Sequence, residues 1–276
     1  MTELVVWLNT VANACAEYAL APLAFLPGWL SATLVAIVTG ILMLLIFKYT
    51  SNQVSIKQVR NGIRANLLAL SLFQDNISVS LRCQARVLVG ACRLFLLAVV
   101  PMLVMTVPMC LLLAQMALWY QARPLHVDEE AVLTAFFADN SNEIPEVQLE
   151  AASGGEVKIG PVRVPSKHMV CWSVWAQEDG CHRLSLRIGK QTFEKEFTVG
   201  EGFARVSLRR PAWNWFDVLL HPRETPFSQD SIVRAIEIDY PSRHGWASGS
   251  GFWLIYWFVV SMVVAFCVRP WFNVNI

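Results

Sequence analysis

Three apolar runs, 29–47, 94–118 and 252–268, constrain this chain more than anything else in it. Each is long enough, at about 1.5 Å per helical residue, to cross a hydrocarbon layer of roughly 30 Å. A helix satisfies its own backbone donors and acceptors, which a lipid interior cannot do for it. The expectation is a three-span membrane protein with helices at 27–48, 93–120 and 251–269.

The cations set the expected orientation, because short loops rich in Lys and Arg stay on the cytoplasmic side. Lys48, Lys57, Arg60, Arg64, Arg82, Arg86 and Arg93 stand between the first two runs against the single acid Asp75, and the segment before the first run carries Glu3 and Glu17 but no cation. Arg269 opens the segment after the third run. The N-terminus is therefore expected outside, 49–92 in the cytoplasm, 121–250 outside and the tail 270–276 inside, as a multi-pass protein of the cell inner membrane. A net charge of +1 conceals this asymmetry.

Residues 1–26 lack the basic start and the small-residue cleavage pattern of a signal peptide. Leu4, Leu8, Val11, Cys15 and Tyr18 recur at helical spacing while Asn9, Asn13 and Glu17 line another face. This pattern predicts an outer amphipathic helix at the membrane interface, ended by Pro22 and Pro27; a fourth crossing is the other option.

In 49–92, Ile56, Val59, Ile63, Leu67, Leu70, Phe73, Ile77 and Leu81 advance by threes and fours, one apolar stripe on a helix. Gln74, Asp75 and Asn76 interrupt it with residues that favour turns and caps, so a cytoplasmic helical hairpin is expected. Its basic residues suit anionic headgroups, and its stripe suits self-packing, a partner helix or a hydrophobic client. In the second run, Pro101 and Pro108 each remove a backbone donor and predict kinks, either structural or opening a cavity between spans.

The run ending in Lys48-Tyr49-Thr50-Ser51-Asn52-Gln53, the basic Leu-rich coil and the span carrying Pro101 and Pro108 together resemble the core of the YidC/Oxa superfamily. That core has an outside N-terminus, a first span, a cytosolic coiled-coil hairpin and two further spans, an order matched over about 1–120 and 250–276. The resemblance implies insertion or assembly of membrane proteins, by cradling hydrophobic segments without covalent chemistry. Its contact residues would be Ile63, Leu67, Leu70 and Phe73 on the coil and Thr33, Thr39, Thr106 and Gln115 in a groove. Two features set the chain apart: no charged residue lies in 29–47, where bacterial insertases carry a cation, and the long segment 121–250 separates the last two spans.

That segment changes character, with short alternating stretches punctuated by Gly and Pro. Candidate strands are 131–137, 147–152, 157–162, 169–176, 183–188, 192–199, 204–208 and 232–238, and strands at this spacing predict an immunoglobulin-like β-sandwich. Residues 211–229 lack alternation and read as a short helix or loop packed on the sandwich or the membrane interface. Cys171 and Cys181 flank a hairpin-like stretch, where an oxidising compartment would permit a disulfide. Trp119, Tyr120, Trp246, Phe252, Trp253, Tyr256, Trp257 and Trp271 stand near the span ends, as interfacial aromatic anchors do.

No zinc, thioredoxin, P-loop, dinucleotide or hydrolase pattern occurs. His126, His168, His182, His221 and His244 lack ligand spacing, and Ser166-Lys167-His168 is too short a string to carry catalysis. The expectation is a non-enzyme with no catalytic, cofactor or metal residue. Its partners are membrane lipid and either hydrophobic client segments or a partner membrane subunit, not nucleic acid. The alternative function is a membrane-anchored structural protein that binds a partner through its outer sandwich.

Overall fold

The computed structural model describes residues 1–20, 26–72, 77–138, 145–151, 154–245 and 252–272. Phe73, the turn residues Gln74, Asp75 and Asn76, Pro22 and Trp246 lie outside these, so the expectations placed on them are not addressed. Two compact units emerge: Met1–Ala32 with Cys110–Tyr256, and Thr33–Met109 with Trp257–Ile276.

The first unit is built on two antiparallel sheets. Strands β1 (Glu130–Phe137), β3 (Gly155–Val164), β4 (Met169–Ala176), β7 (Arg209–Arg210) and β8 (Val233–Ile238) form one, in the order β3-β4-β1-β8-β7; β2 (Val147–Ala151), β5 (Gly180–Ile188) and β6 (Gln191–Val199) form the other, in the order β2-β5-β6. Alternation explains the shared core. Leu133, Ala135 and Phe137 on β1 and Val170, Trp172 and Val174 on β4 turn inward to meet Leu184, Leu186 and Phe197 of the smaller sheet. Each such side chain contributes about 1.5–3 kcal/mol when buried.

Two expectations change here. Residues 204–208 are not a strand: Val206 donates its N–H to the Leu118 carbonyl instead, and the ladder begins only at Arg209. Cys171 and Cys181 do not flank a hairpin, because β4 pairs with β1 and β3 whereas β5 pairs with β2 and β6. The chain changes sheets between them. Both thiols are free; Cys171 lies 3.6 Å from the Thr134 hydroxyl and Cys181 bonds Glu196 at 3.0 Å, so the disulfide is not formed.

The outer edge of β6 is closed by side chains rather than by another strand. Glu224 accepts from the Glu196 N–H, the Tyr240 hydroxyl from the Thr198 N–H, and Arg210 donates to the Glu194 carbonyl. Capping of this kind removes a template for edge-to-edge aggregation.

Helix α1 (Thr2–Leu20) and the short α5 (Trp215–Leu220) also belong to this unit. So do the first residues of α2 (Gly28–Thr50) and the last turns of α4 (Ile77–Tyr120). There the aromatics act differently from lipid anchors. Trp119, Tyr120 and Trp253 are buried: the Phe203 ring stacks on Trp119 at 5.3 Å and meets Tyr120 at 5.1 Å, and Tyr120 stacks on Trp253. The Tyr120 hydroxyl and Ser31 bond at 3.0 Å. An aromatic pair of this geometry adds about 0.5–1.5 kcal/mol beyond its burial.

The second unit holds most of α2, α3 (Gln53–Leu72), the first part of α4 and most of α6 (Phe252–Phe272). Helices α2, α4 and α6 are long and apolar enough to cross a membrane. Asn52 caps α3, its side-chain oxygen accepting from the Ser55 N–H at 3.0 Å. Helix α4 runs unbroken through Pro101 and Pro108. Each ring denies a hydrogen bond to the carbonyl four residues earlier, Leu97 or Val104. The Thr106 hydroxyl, between the two prolines, bonds the Met102 carbonyl at 2.8 Å.

Candidate functional site

Helices α3 and α4 meet where Gly90 lies against Ile63. Ile56 and Cys83 are buried, and Gly90 faces Ile63 so closely that a Cβ there would lie 2.8 Å from its Cγ1. Toward the end of α3 and the start of α4 several of the described apolar side chains are exposed. Leu68, Leu72 and Ile77 are 74%, 76% and 76% exposed, and Leu67 and Leu81 join them at the surface. Lys57, Arg64, Arg82, Arg86 and Arg93 are exposed along the same two helices. Among the described residues, the ends of α3 and α4 that flank 73–76 thus carry exposed apolar side chains on a basic shaft. At 1.5 Å per residue, the segment of α4 preceding its apolar run is about 25 Å long.

The other expected contact residues are dispersed. Ile63 and Leu70 are half-buried within the hairpin, and Thr33 is half-buried on α2. Thr39 is buried, its hydroxyl bonded to the Val35 carbonyl at 2.6 Å, whereas Thr106 is exposed on α4. Gln115 is also buried: its amide donates to Asn13 Oδ1 at 2.8 Å and its oxygen accepts from Arg205 at 3.2 Å. Gln115 therefore serves a polar junction of the first unit.

Sequence reasoning missed a charged cleft of roughly 500 Å³ beside the β6 edge, lined by Cys181, Arg183, Glu194, Glu196, Arg210, Arg223, Glu224 and Thr225. Two of its guanidiniums pair with carboxylates of the lining, and Arg210 donates to the Thr225 and Glu194 carbonyls. Arg223 grips Glu196 with two bonds of 2.7 and 2.9 Å, and Arg183 meets Glu194 at 2.9 Å. Beneath it the Lys195 ammonium, 1% exposed, bonds Glu224 at 2.5 Å and the Ser207 carbonyl at 2.6 Å, and the Ser207 hydroxyl donates to Glu224. The signal was present in the alternation of β6, which puts Lys195 on the same face as Phe193 and Phe197.

Burial pulls the Lys195 pKa down, opposed by Glu224 and Glu196. Burial would raise Glu196, but the Arg223 guanidinium and the Cys181 thiol outweigh it and hold the carboxyl below its ordinary value. The Cys181 thiol is pushed up to about 11, first by burial and then by its bond to Glu196. A rise of this size leaves about a hundredfold less thiolate at neutral pH than an ordinary cysteine has. Alkylation of Cys181 by iodoacetamide should accordingly climb only as pH approaches 11, and Glu196→Gln should shift that midpoint down. A midpoint near 8.5 in the unsubstituted protein would refute the assignment. Three guanidiniums and three carboxylates line the cleft, and one of the carboxylates, Glu224, is engaged by the Lys195 ammonium beneath it.

Among the described residues no group of His, Cys, Asp or Glu is arranged to hold a metal ion. Burial lowers the His221 pKa against the pull of Asp217. Comparison with family models, curated proteins and solved structures returns no match.

Proposed function

We propose that the protein is a membrane-protein insertion or assembly factor whose hairpin tip receives hydrophobic segments without covalent chemistry. The observation that carries this reading is the exposure of Leu67, Leu68, Leu72, Ile77 and Leu81, at the ends of α3 and α4 that flank 73–76, on a basic shaft. A helix end that only packed on its neighbour would bury such residues, and exposed clusters of them mark interaction sites. The resemblance to the YidC/Oxa core and the cytoplasmic placement of the cationic loop, in a cell inner membrane with the sandwich outside, supply the setting. Clients are apolar helices on their way into the bilayer, with lipid as the surrounding partner.

Photo-crosslinkers at Leu68 and Leu72 should capture newly made membrane segments, and Leu67→Glu with Ile77→Glu should cut that capture by about tenfold or more, since each apolar contact contributes about 1.5–3 kcal/mol. Capture of one stable subunit at these positions, with no nascent chains, would defeat the insertion reading.

A second reading makes the chain a membrane-anchored interaction protein with an immunoglobulin-like sandwich. It is favoured by the outward face of the larger sheet. Val132, Ser173 and Ile159 lie in register across β1, β4 and β3, with Val162 beside Cys171 in a neighbouring row. Val132, Ile159 and Val162 are exposed.

A further inference from the structure

Helix α1 is amphipathic with its polar side turned inward. The Asn9 amide donates to the Val218 carbonyl and the Asn13 amide to the Pro222 carbonyl, both at 2.6 Å. Asn13 Oδ1 accepts from Gln115 at 2.8 Å and from Arg205 at 3.0 Å. Asn9 is buried, as is Ala16. At about 100° per residue, Leu4, Trp7, Val11 and Tyr18 fall within about 60° of one another on the side opposite Asn9. All four are exposed, Trp7 at 64% and Tyr18 at 87%. Helix α5, whose carbonyl Asn9 grips, exposes Trp215, Phe216 and Leu220.

A helix facing water along that side would carry the opposite pattern. The bond from Gln115 to Asn13 sets the depth at which α1 lies. Gln115 falls inside the apolar run 94–118, five residues before Tyr120, which is about 7.5 Å along the helix. Helix α1 therefore stands beside the last turns of a span, where hydrocarbon gives way to headgroups. Interfacial helices bury their apolar face to about 5–10 Å, and Trp and Tyr favour that zone.

We infer that α1 and α5 together form a lipid-contacting foot that seats the β-sandwich on the bilayer. The occupant of the Leu4, Trp7, Val11 and Tyr18 face is the lipid interface at that end of the spans, and α5 extends the contact with Trp215, Phe216 and Leu220. Because the polar side of α1 is bonded to α5 and Arg205, the helix is part of the sandwich unit and fixes its tilt on the membrane. The inference is independent of what the hairpin receives.

The test uses the full chain in phosphatidylcholine vesicles. A cysteine-free variant carrying Trp7→Cys, labelled with an environment-sensitive fluorophore, should be quenched by lipids with a nitroxide near the headgroup. The quenching should be about twofold or more above that of Thr10→Cys, whose position lies on the flank of the helix. Quenching by aqueous iodide instead, or by neither agent, would overturn the inference, the second because protein then covers the face. Trp7→Phe with all native cysteines in place gives a second readout. It should reduce the share of intrinsic fluorescence quenched by lipids brominated near the headgroup, and an unchanged share counts against the foot.

Discussion

Glu224→Ala is expected to destabilise the β-sandwich unit by about 3–5 kcal/mol, because it strands a buried ammonium. Lys195 is enclosed, and among the described residues Glu224 is its one carboxylate partner at bonding distance. The same carboxylate accepts from the Ser207 hydroxyl and the Glu196 N–H. Removing it therefore leaves a charge, a hydroxyl and a strand edge unsatisfied together. For a unit of this size the loss corresponds to a fall in Tm of about 10 °C or more, measurable in detergent by near-ultraviolet circular dichroism.

The pH dependence of that deficit carries a definite sign. Burial already lowers the Lys195 pKa in the folded state, and removing Glu224 lowers it further. Over the range between the folded value and the ordinary lysine value, the unfolded chain binds more protons than the folded one, so stability rises with pH. The variant should thus recover part of its loss between neutral and alkaline pH. Lys195→Met combined with Glu224→Gln should cost far less than Glu224→Ala alone, since an apolar replacement of a buried pair is often tolerated. A Glu224→Ala protein within about 0.5 kcal/mol of the parent, in the range of ordinary surface substitutions, would show that the pair does not support the fold.

The strands were legible because half-buried sheets impose a period of two, which Leu184, Leu186 and Ile188 keep without exception. The three long apolar helices were legible from length and composition. What stayed hidden depended on partners distant in sequence. The stretch Gln177-Glu178-Asp179 reads as a hairpin turn, yet it passes the chain from one sheet to the other, and no local pattern distinguishes the two uses. Asn13, Gln115 and Arg205 meet across 192 positions of sequence, so the polar face of α1 looked solvated when it is bonded to protein. Trp119 and Tyr120 have the composition of interfacial anchors, but Phe203 claims their rings. The cleft was hidden for the same reason, except that Lys195 between two inward phenylalanines broke the pattern in plain view.

Gly40 is where the membrane helices should prove least tolerant. Ala32, Ala36 and Gly40 repeat every fourth residue on α2 and are buried, so the helix presents a smooth stripe. A Cβ at position 40 would lie 2.5 Å from the Ser261 carbonyl oxygen and 3.2 Å from its Cα. Those are backbone atoms of α6 and cannot rotate away. Lipid tails supply no hydrophobic force between helices, so close packing of this kind is what holds a pair together. Two effects oppose each other in Gly40→Ala: the alanine gains up to about 1 kcal/mol in helix propensity, while forced separation costs about 1–3 kcal/mol. The clash should prevail, and Gly40→Ile should enlarge the loss, read as earlier thermal aggregation in detergent and faster proteolysis. Gly62→Ala on α3, where a Cβ meets nothing within 4 Å, isolates the propensity gain and should be neutral or stabilising. If Gly40→Ile behaves like Gly62→Ala, the two spans do not depend on this contact.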